Sequence, residues 1–230
     1  MAIRRNKKQS DDTLVDIVEA KESAQDWVDS NQKTIFGVLA AILLVVGGFL
    51  AYKNFVVKPK EKTAMNEMQM AQLQFEKDSF AIALSNPGNG GLGFLDIIDN
   101  YGGTSAGNLA NYYAGISYLR LGQYDAAIDY LKAFSEDGNV LPATKYGAIG
   151  DAYSEKGDFD AALSNYNKAA SVVNNEFTAP MYLKKVGLLN EKNQNWSAAA
   201  EAYKKIKTKY PLSIDGNEID KFISRVEAKM

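Results

Sequence analysis

The sequence contains no cysteine and no histidine among its 230 residues. Without cysteine, the chain forms no disulfide, holds no iron–sulfur cluster and offers no thiol nucleophile. Without histidine, it lacks the side chain that most often acts as a general acid or base. A zinc site would have to use carboxylates alone, which is unusual. We therefore predict a protein that is not an enzyme and that needs no cofactor.

An excess of one charge is also missing, because 26 Lys and Arg residues face 28 Asp and Glu residues. A nucleic-acid-binding protein would show a strong basic excess. The stretch Gly88-Asn-Gly90-Gly-Leu-Gly93 matches the letters G-x-G-x-x-G, but no predicted strand precedes it and no βαβ unit surrounds it. We therefore predict that the partners are proteins and membrane lipid, with no nucleic acid and no small-molecule substrate.

One long uncharged stretch is present, from Ile35 to Tyr52. As a helix it would rise about 27 Å, close to the roughly 30 Å thickness of the hydrocarbon core of a bilayer. Residues 55–57 extend it by a turn, and Pro59 then predicts a break. A buried core helix would show a polar face, and a cleaved signal peptide would have a shorter apolar run. The sequence thus predicts a transmembrane helix over residues 35–57.

The residues before this stretch, 1–34, are predicted to form a tail with a disordered basic start and a short amphipathic helix over 12–30. The apolar positions of that helix fall near one face: Leu14, Ile17, Val18, Ala24 and Val28. Lysines 53, 58, 60 and 62 crowd the other boundary of the span, whereas Arg4 and Arg5 lie more than about 20 residues away from it. Counted locally, positive charge favours a cytoplasmic C-terminus. Counted over the whole tail, it favours a cytoplasmic N-terminus, so charge leaves the orientation open.

Small residues recur at fixed distances further along the chain. Gly115, Gly150 and Gly187 are 35 and 37 residues apart. An alanine lies twelve residues after each glycine, and a leucine or tyrosine lies sixteen after: Ala127, Ala162, Ala199, Leu131, Tyr166 and Tyr203. Small residues let two helices approach closely, and we expect the residue at the sixteenth place to fill the gap between adjacent repeats. This pattern resembles the tetratricopeptide repeat, whose period is about 34 residues.

The resemblance predicts an all-α fold, in which one N-terminal transmembrane helix precedes a tetratricopeptide-like helical repeat solenoid over residues 58–230. Within it we predict a degenerate repeat over 60–102, repeats over about 108–141, 143–176 and 180–213, and a capping helix over 217–228. A cap is needed because the last repeat would otherwise expose its apolar face. In the degenerate repeat, residues 60–85 are predicted to form one long helix, and Phe94 to Tyr101 a second.

By analogy with this family, the first helix of each repeat lines a concave surface that binds proteins. The candidate residues on that surface are Leu109, Tyr112, Ile116, Arg120, Asp151, Met181, Lys184, Lys185, Leu188 and Lys192. They are apolar and aromatic at one end and basic at the other. Such a groove could hold a partner helix or an extended acidic segment. The alternative is a solvated face with some packing residues.

The order of parts, a short tail, one span, a long helix and about three repeats, resembles the ancillary subunit family of the bacterial Sec translocon. The stretch Phe94-Leu-Asp-Ile-Ile-Asp-Asn-Tyr101, followed by Asn108 to Lys132, has the look of that family's repeat region. The resemblance implies an inner-membrane protein with a cytoplasmic N-terminus and a periplasmic repeat domain. It further implies association with the Sec translocon and with a membrane-anchored periplasmic chaperone, or assistance to secreted chains.

Two other functions fit the same sequence. The chain could be a scaffold of another envelope assembly, which co-purification would reveal by the absence of translocon subunits. It could also be an anchor whose tail sequesters a cytoplasmic regulator, in which case deleting residues 1–30 would abolish function.

Overall fold

The computed structural model describes residues 6–135 and 141–230, with side chains described from Trp27 onward and for Gln25. Every regular element in these two ranges is a helix, and they contain no strand. The predicted all-α fold class is therefore confirmed. The chain divides into two compact units, residues 1–59 and residues 60–230.

The first unit consists mainly of helix α1, Asn6–Tyr52. The short helix predicted over 12–30 instead runs on without interruption into the apolar stretch, because no proline or glycine separates them. The apolar side chains of the stretch are exposed, for example Leu44 and Val45. Among the described residues, this is the one helix that could cross a membrane by length and composition. Arg4, Arg5 and the predicted apolar face, apart from the side chain of Val28, lie outside the description.

A single wide turn lies between α1 and the next helix. Residues Lys53–Val57 form a π-helical segment, in which the Lys58 N–H donates to the Lys53 carbonyl oxygen. Helix α2, Lys58–Glu76, follows at once. The predicted break at Pro59 is therefore wrong. The helical backbone continues through Pro59 because the π-helical segment just before it replaces the i→i−4 bond pattern that proline cannot complete.

The second unit, which we call the repeat unit, begins within α2 and continues with α3 (Phe80–Ser85) and α4 (Phe94–Tyr101). The long helix predicted over 60–85 is interrupted after Glu76, where Asp78 adopts a positive φ of 56°. Ala64 and Met68 of α2 are buried with Phe94 and Ile97 of α4 in one cluster. The Glu61 carboxylate on α2 accepts hydrogen bonds from the Ser105 and Ala106 N–H groups, at 2.7 and 2.9 Å. This carboxylate thus caps the helix that opens the first full repeat.

Three helix pairs and a last helix follow. They are α5 (Ser105–Arg120) with α6 (Tyr124–Ala133), α7 (Leu141–Glu155) with α8 (Phe159–Val172), α9 (Thr178–Lys192) with α10 (Trp196–Lys209), and then α11 (Ile214–Glu227). Side chains of Thr104, Asp158 and Ser213 cap α5, α8 and α11. Gly122 and Gly157, at positive φ, end the first helices of two pairs, and Gln194 does so in the third. Ile219, Ile223 and Val226 of α11 join the core of the third pair.

The repeated glycines lie where the two helices of a pair touch. A Cβ on Gly150 would lie 2.6 Å from the Tyr166 ring, and a Cβ on Gly187 would lie 2.1 Å from the Tyr203 ring. The residue sixteen places on therefore packs first against the glycine of its own repeat, not only in the gap between repeats as we predicted. Between the second and third repeats, the gap is filled by Tyr182 of α9, which covers Gly147 of α7. Gly147 was not singled out by the sequence pattern.

Candidate protein-binding surface

The ten candidate residues lie on the first helices of the three pairs, α5, α7 and α9. We call their solvent side the binding face. Leu109, Tyr112, Ile116 and Met181 are half-buried, whereas Arg120 and Lys192 are exposed. Leu188 leaves 42% of its surface exposed on α9. The structure thus places apolar contact area along the face, with its largest apolar exposure on the third repeat.

Tyr112 joins the first repeat to the second. Its hydroxyl donates to the Thr144 Oγ1 at 3.0 Å, and its ring centroid lies 5.5 Å from that of Phe134. Burial raises the pKa of Tyr112, and the bond to Thr144 only partly offsets this. The Tyr112 hydroxyl therefore contributes to the packing between repeats. Only the partly exposed ring of Tyr112 is accessible to a partner protein.

Asp151 and Lys185 join the second repeat to the third. The Lys185 Nζ lies 2.5 Å from Asp151 Oδ1, and the same oxygen accepts from the Tyr166 hydroxyl at 2.7 Å. Burial, followed by the bond to this carboxylate, raises the pKa of Tyr166. The two charges predicted to meet a partner thus neutralise each other across the repeat boundary.

Lys184 makes the next link, from the third repeat to α11. Its Nζ lies 2.8 Å from Asp215 Oδ1 and 5.1 Å from the centre of the Phe222 ring. Lys192 lies over the Phe159 ring at 4.4 Å. Two of the three lysines at the end of the face that was predicted to be basic, Lys184 and Lys185, are thus paired with carboxylates. An acidic partner would have to compete with these pairs.

A cluster that sequence reasoning missed joins the same elements. Arg225 on α11 donates to both oxygens of Glu191, with its Nη2 at 2.6 Å and its Nε at 3.0 Å, and the Tyr203 hydroxyl lies 2.5 Å from Oε1. Tyr203 itself is fully buried. The signal was available: Glu191 and Arg225 are 34 residues apart, as are Asp151 and Lys185, which is close to one repeat.

Acid should weaken this cluster in a defined pH window. Burial alone would raise the pKa of Glu191, but hydrogen bonds from Arg225 and Tyr203 outweigh it and hold that pKa below its usual 4.5. A depressed carboxylate stabilises the fold above the unfolded-state pKa, and the stabilisation is lost as pH falls through the folded-state value. We expect the stability difference between wild type and Glu191→Gln to be constant from neutral pH to about pH 5, and to shrink below about pH 4.5.

Urea unfolding at a series of pH values, followed by helical circular dichroism, measures this difference. Glu201→Gln, on the exposed side of α10, is the matched control and should leave the free energy of unfolding at neutral pH unchanged. A Glu191→Gln difference that stays constant down to pH 3 would contradict the assignment.

Comparisons with known proteins agree with this geometry. Two family models, each described as a tetratricopeptide repeat, match residues 148–214 and residues 109–137. A solved structure with the same fold is the crystal structure of MamA protein, at 20% sequence identity and a TM-score of 0.52. The alignment covers 73% of this chain and 92% of that one, and at this identity it shows the fold alone. No curated protein sequence matches the chain.

Stacked helix pairs that expose the faces of their first helices define a protein-binding scaffold. The matched segments show that residues 109–137 and 148–214 carry tetratricopeptide repeats. An N-terminal apolar helix that could span a membrane precedes the repeats.

Proposed function

We propose that this protein is a membrane-anchored scaffold that receives a segment of a partner protein on its binding face. The observation that carries the proposal is the exposed Leu188, flanked by the half-buried Met181 and by Lys192 on the same helix. Because Asp151, Lys184 and Lys185 are already paired, apolar contact supplies most of the recognition. Arg120, which makes no ion pair or hydrogen bond in the described part of the chain, adds a cation at the other end.

The finer proposal is an accessory subunit of the Sec translocon in a bacterial inner membrane. In it, residues 35–57 hold the chain in lipid, the N-terminus is cytoplasmic, and the repeats lie in the periplasm. There they dock a membrane-anchored chaperone or assist secreted chains. The order of tail, apolar helix and repeats supports this assignment through the family resemblance. A scaffold of another envelope assembly is the alternative for the same binding face.

Site-specific photocrosslinking in native membranes tests both levels. A photoreactive residue at Leu188 or Ile116 should give adducts, whereas one at Glu201, exposed on the second helix of the third repeat, should give few or none. Adducts that contain translocon subunits support the finer proposal. Adducts that contain no translocon subunit overturn the finer proposal but still support a protein-binding scaffold. Equal adduct yields at all three positions overturn the assignment of the binding face.

The orientation is measured with the same material. Because the chain has no cysteine, a single cysteine introduced at Asn174 can be labelled alone. Asn174 is exposed at a turn of the repeat unit. Labelling by a membrane-impermeant maleimide in spheroplasts supports periplasmic repeats, and labelling only after lysis overturns them.

A further inference from the structure

Two neighbouring turns carry the most exposed large apolar side chains in the described part of residues 60–230, apart from Met230 at the end of the chain. Leu212 is 87% exposed, Ile214 is 80% exposed and Phe177 is 67% exposed. The next is Met65, at 53%. Exposed apolar groups gathered at one place are characteristic of interaction sites. These three lie outside the ten candidate residues of the binding face.

Phe177 and Ile214 face a shared cleft of about 140 Å³ between the start of α9 and the start of α11. Its lining residues are Glu176, Phe177, Pro180, Met181, Ser213, Ile214 and Asp215. Small-molecule sites occupy roughly 300–1,000 Å³. This cleft is therefore sized for one large side chain of another protein, not for a cofactor or a metabolite.

The two turns that form the cleft are fixed before any partner arrives. The Tyr210 hydroxyl donates to Asn174 Oδ1 at 2.7 Å and so ties one turn to the other. Asn175 Oδ1 accepts from the Phe177 N–H at 2.9 Å and from the Thr178 N–H at 2.6 Å. Ser213 Oγ donates to the Tyr210 carbonyl oxygen at 2.8 Å. A preformed cleft loses little conformational freedom on binding, which favours affinity.

The charge beside the cleft is negative. Glu176 is exposed and makes no ion pair in the described residues, whereas Asp215 is paired with Lys184 at 2.8 Å. Two carboxylates and one ammonium leave a local charge of −1. The described lining itself contains no cationic side chain. An occupant that places a cation next to its apolar group would satisfy both features.

We propose that this cleft is a second docking site, which binds a partner-protein segment with one large apolar side chain next to a lysine or arginine. The apolar side chain enters between Phe177 and Ile214, and the cation pairs with Glu176. The site goes beyond the binding face and shares only Met181 with it. It would let the scaffold hold two segments at once.

Fluorescence anisotropy with short synthetic peptides and the full-length protein in mild detergent tests the proposal. The probe has a central leucine flanked by lysines. One reference peptide has glutamates in place of the lysines, and another has alanine in place of the leucine. We expect the probe to bind at least tenfold more tightly than either reference. Phe177→Ser and Ile214→Ser should each weaken it about tenfold, as expected for anchor contacts.

The control variants separate the features of the site. Glu176→Gln should remove the preference for lysine over glutamate flanks. Leu121→Ser, at an exposed leucine of another turn, should leave the affinity unchanged, as should Leu188→Ser, which disables only the binding face. Because Leu188→Ser changes the binding face and not the cleft, this variant distinguishes failure of the cleft from failure of the proposed function. Because Phe177 and Ile214 are mostly exposed, their loss should leave the helical circular dichroism intact.

Three outcomes would overturn the proposal. One is equal affinity for all three peptides, and another is unchanged probe affinity in Phe177→Ser. The third is a dimer in sedimentation that Phe177→Ser converts to a monomer while no peptide binds, which would identify the occupant as a second copy of the chain.

Discussion

Replacing Tyr203 with alanine should lower the free energy of unfolding of the repeat unit by about 3–5 kcal/mol, the range for removing a large buried aromatic ring. The ring is fully buried and covers Gly187, and its centre lies 5.4 Å from that of Phe222 on α11. Its loss would leave a cavity between α9, α10 and α11. It would also leave Glu191 with Arg225 as its one remaining partner in the cluster.

The measurement is urea unfolding of the full-length protein in mild detergent, followed by the fluorescence of Trp196 on α10 in a Trp27→Phe background. These are the only two tryptophans in the sequence. Tyr203→Phe keeps the ring and removes only the hydroxyl that donates to the Glu191 carboxylate, so it should cost about 1.5–3 kcal/mol. A loss below 1 kcal/mol for Tyr203→Ala would mean that the third repeat does not depend on this ring.

Replacing Gly107 with alanine should destabilise the repeat unit by about 3 kcal/mol, although alanine is by about 1 kcal/mol the better helix former. A Cβ on Gly107 would lie 2.2 Å from the Tyr101 carbonyl oxygen. That oxygen belongs to the backbone and accepts from the Thr104 hydroxyl at 2.7 Å, so it cannot swing aside. The start of α5 would have to move, and its cap would weaken.

The same arrangement recurs at the start of α11. Gly216 follows Ser213 as Gly107 follows Thr104, and a Cβ on it would lie 2.1 Å from the Tyr210 carbonyl oxygen. Gly216→Ala should therefore show a loss of similar size. Gly103→Ala is the matched control, because a Cβ there would meet no atom within 4 Å. Unfolding in urea should separate the two classes of glycine, and equal effects at Gly103 and Gly107 would contradict the steric argument.

The all-α fold could be predicted because close helix packing restricts residue type at regular intervals. Gly150 and Ala162 are small where helices touch, and their spacing appears directly in the sequence. The inter-helix turns could be predicted for the same reason, since Gly157 takes the positive φ that a side chain would oppose. The glycine where the paired helices touch recurs in all three repeats, and the turn glycine recurs in two of them.

Contacts specific to one copy could not be predicted from that pattern. Glu61 caps α5 across 44 residues of sequence, and nothing in the repeat signature calls for a carboxylate there. Tyr182 packs on Gly147 at the boundary between the second and third repeats, a contact that the repeat pattern does not specify. Lys185 and Lys184 lie 34 and 31 residues from the carboxylates that they pair with, Asp151 and Asp215, and this spacing is close to one repeat. Opposite charges one repeat apart indicate links between repeats before they indicate a ligand.

The Glu61 contact has a practical consequence for where the repeat unit can be cut. A soluble fragment that begins at Ser105 would contain every residue of the three helix pairs, yet the first N–H groups of α5 would lose their acceptor. It would also uncover Ala106, Ala110 and Ala114, which are buried in one cluster with Ala64, Met68 and Ala71 of α2. A fragment that begins at Lys60, where the second compact unit starts, retains both features.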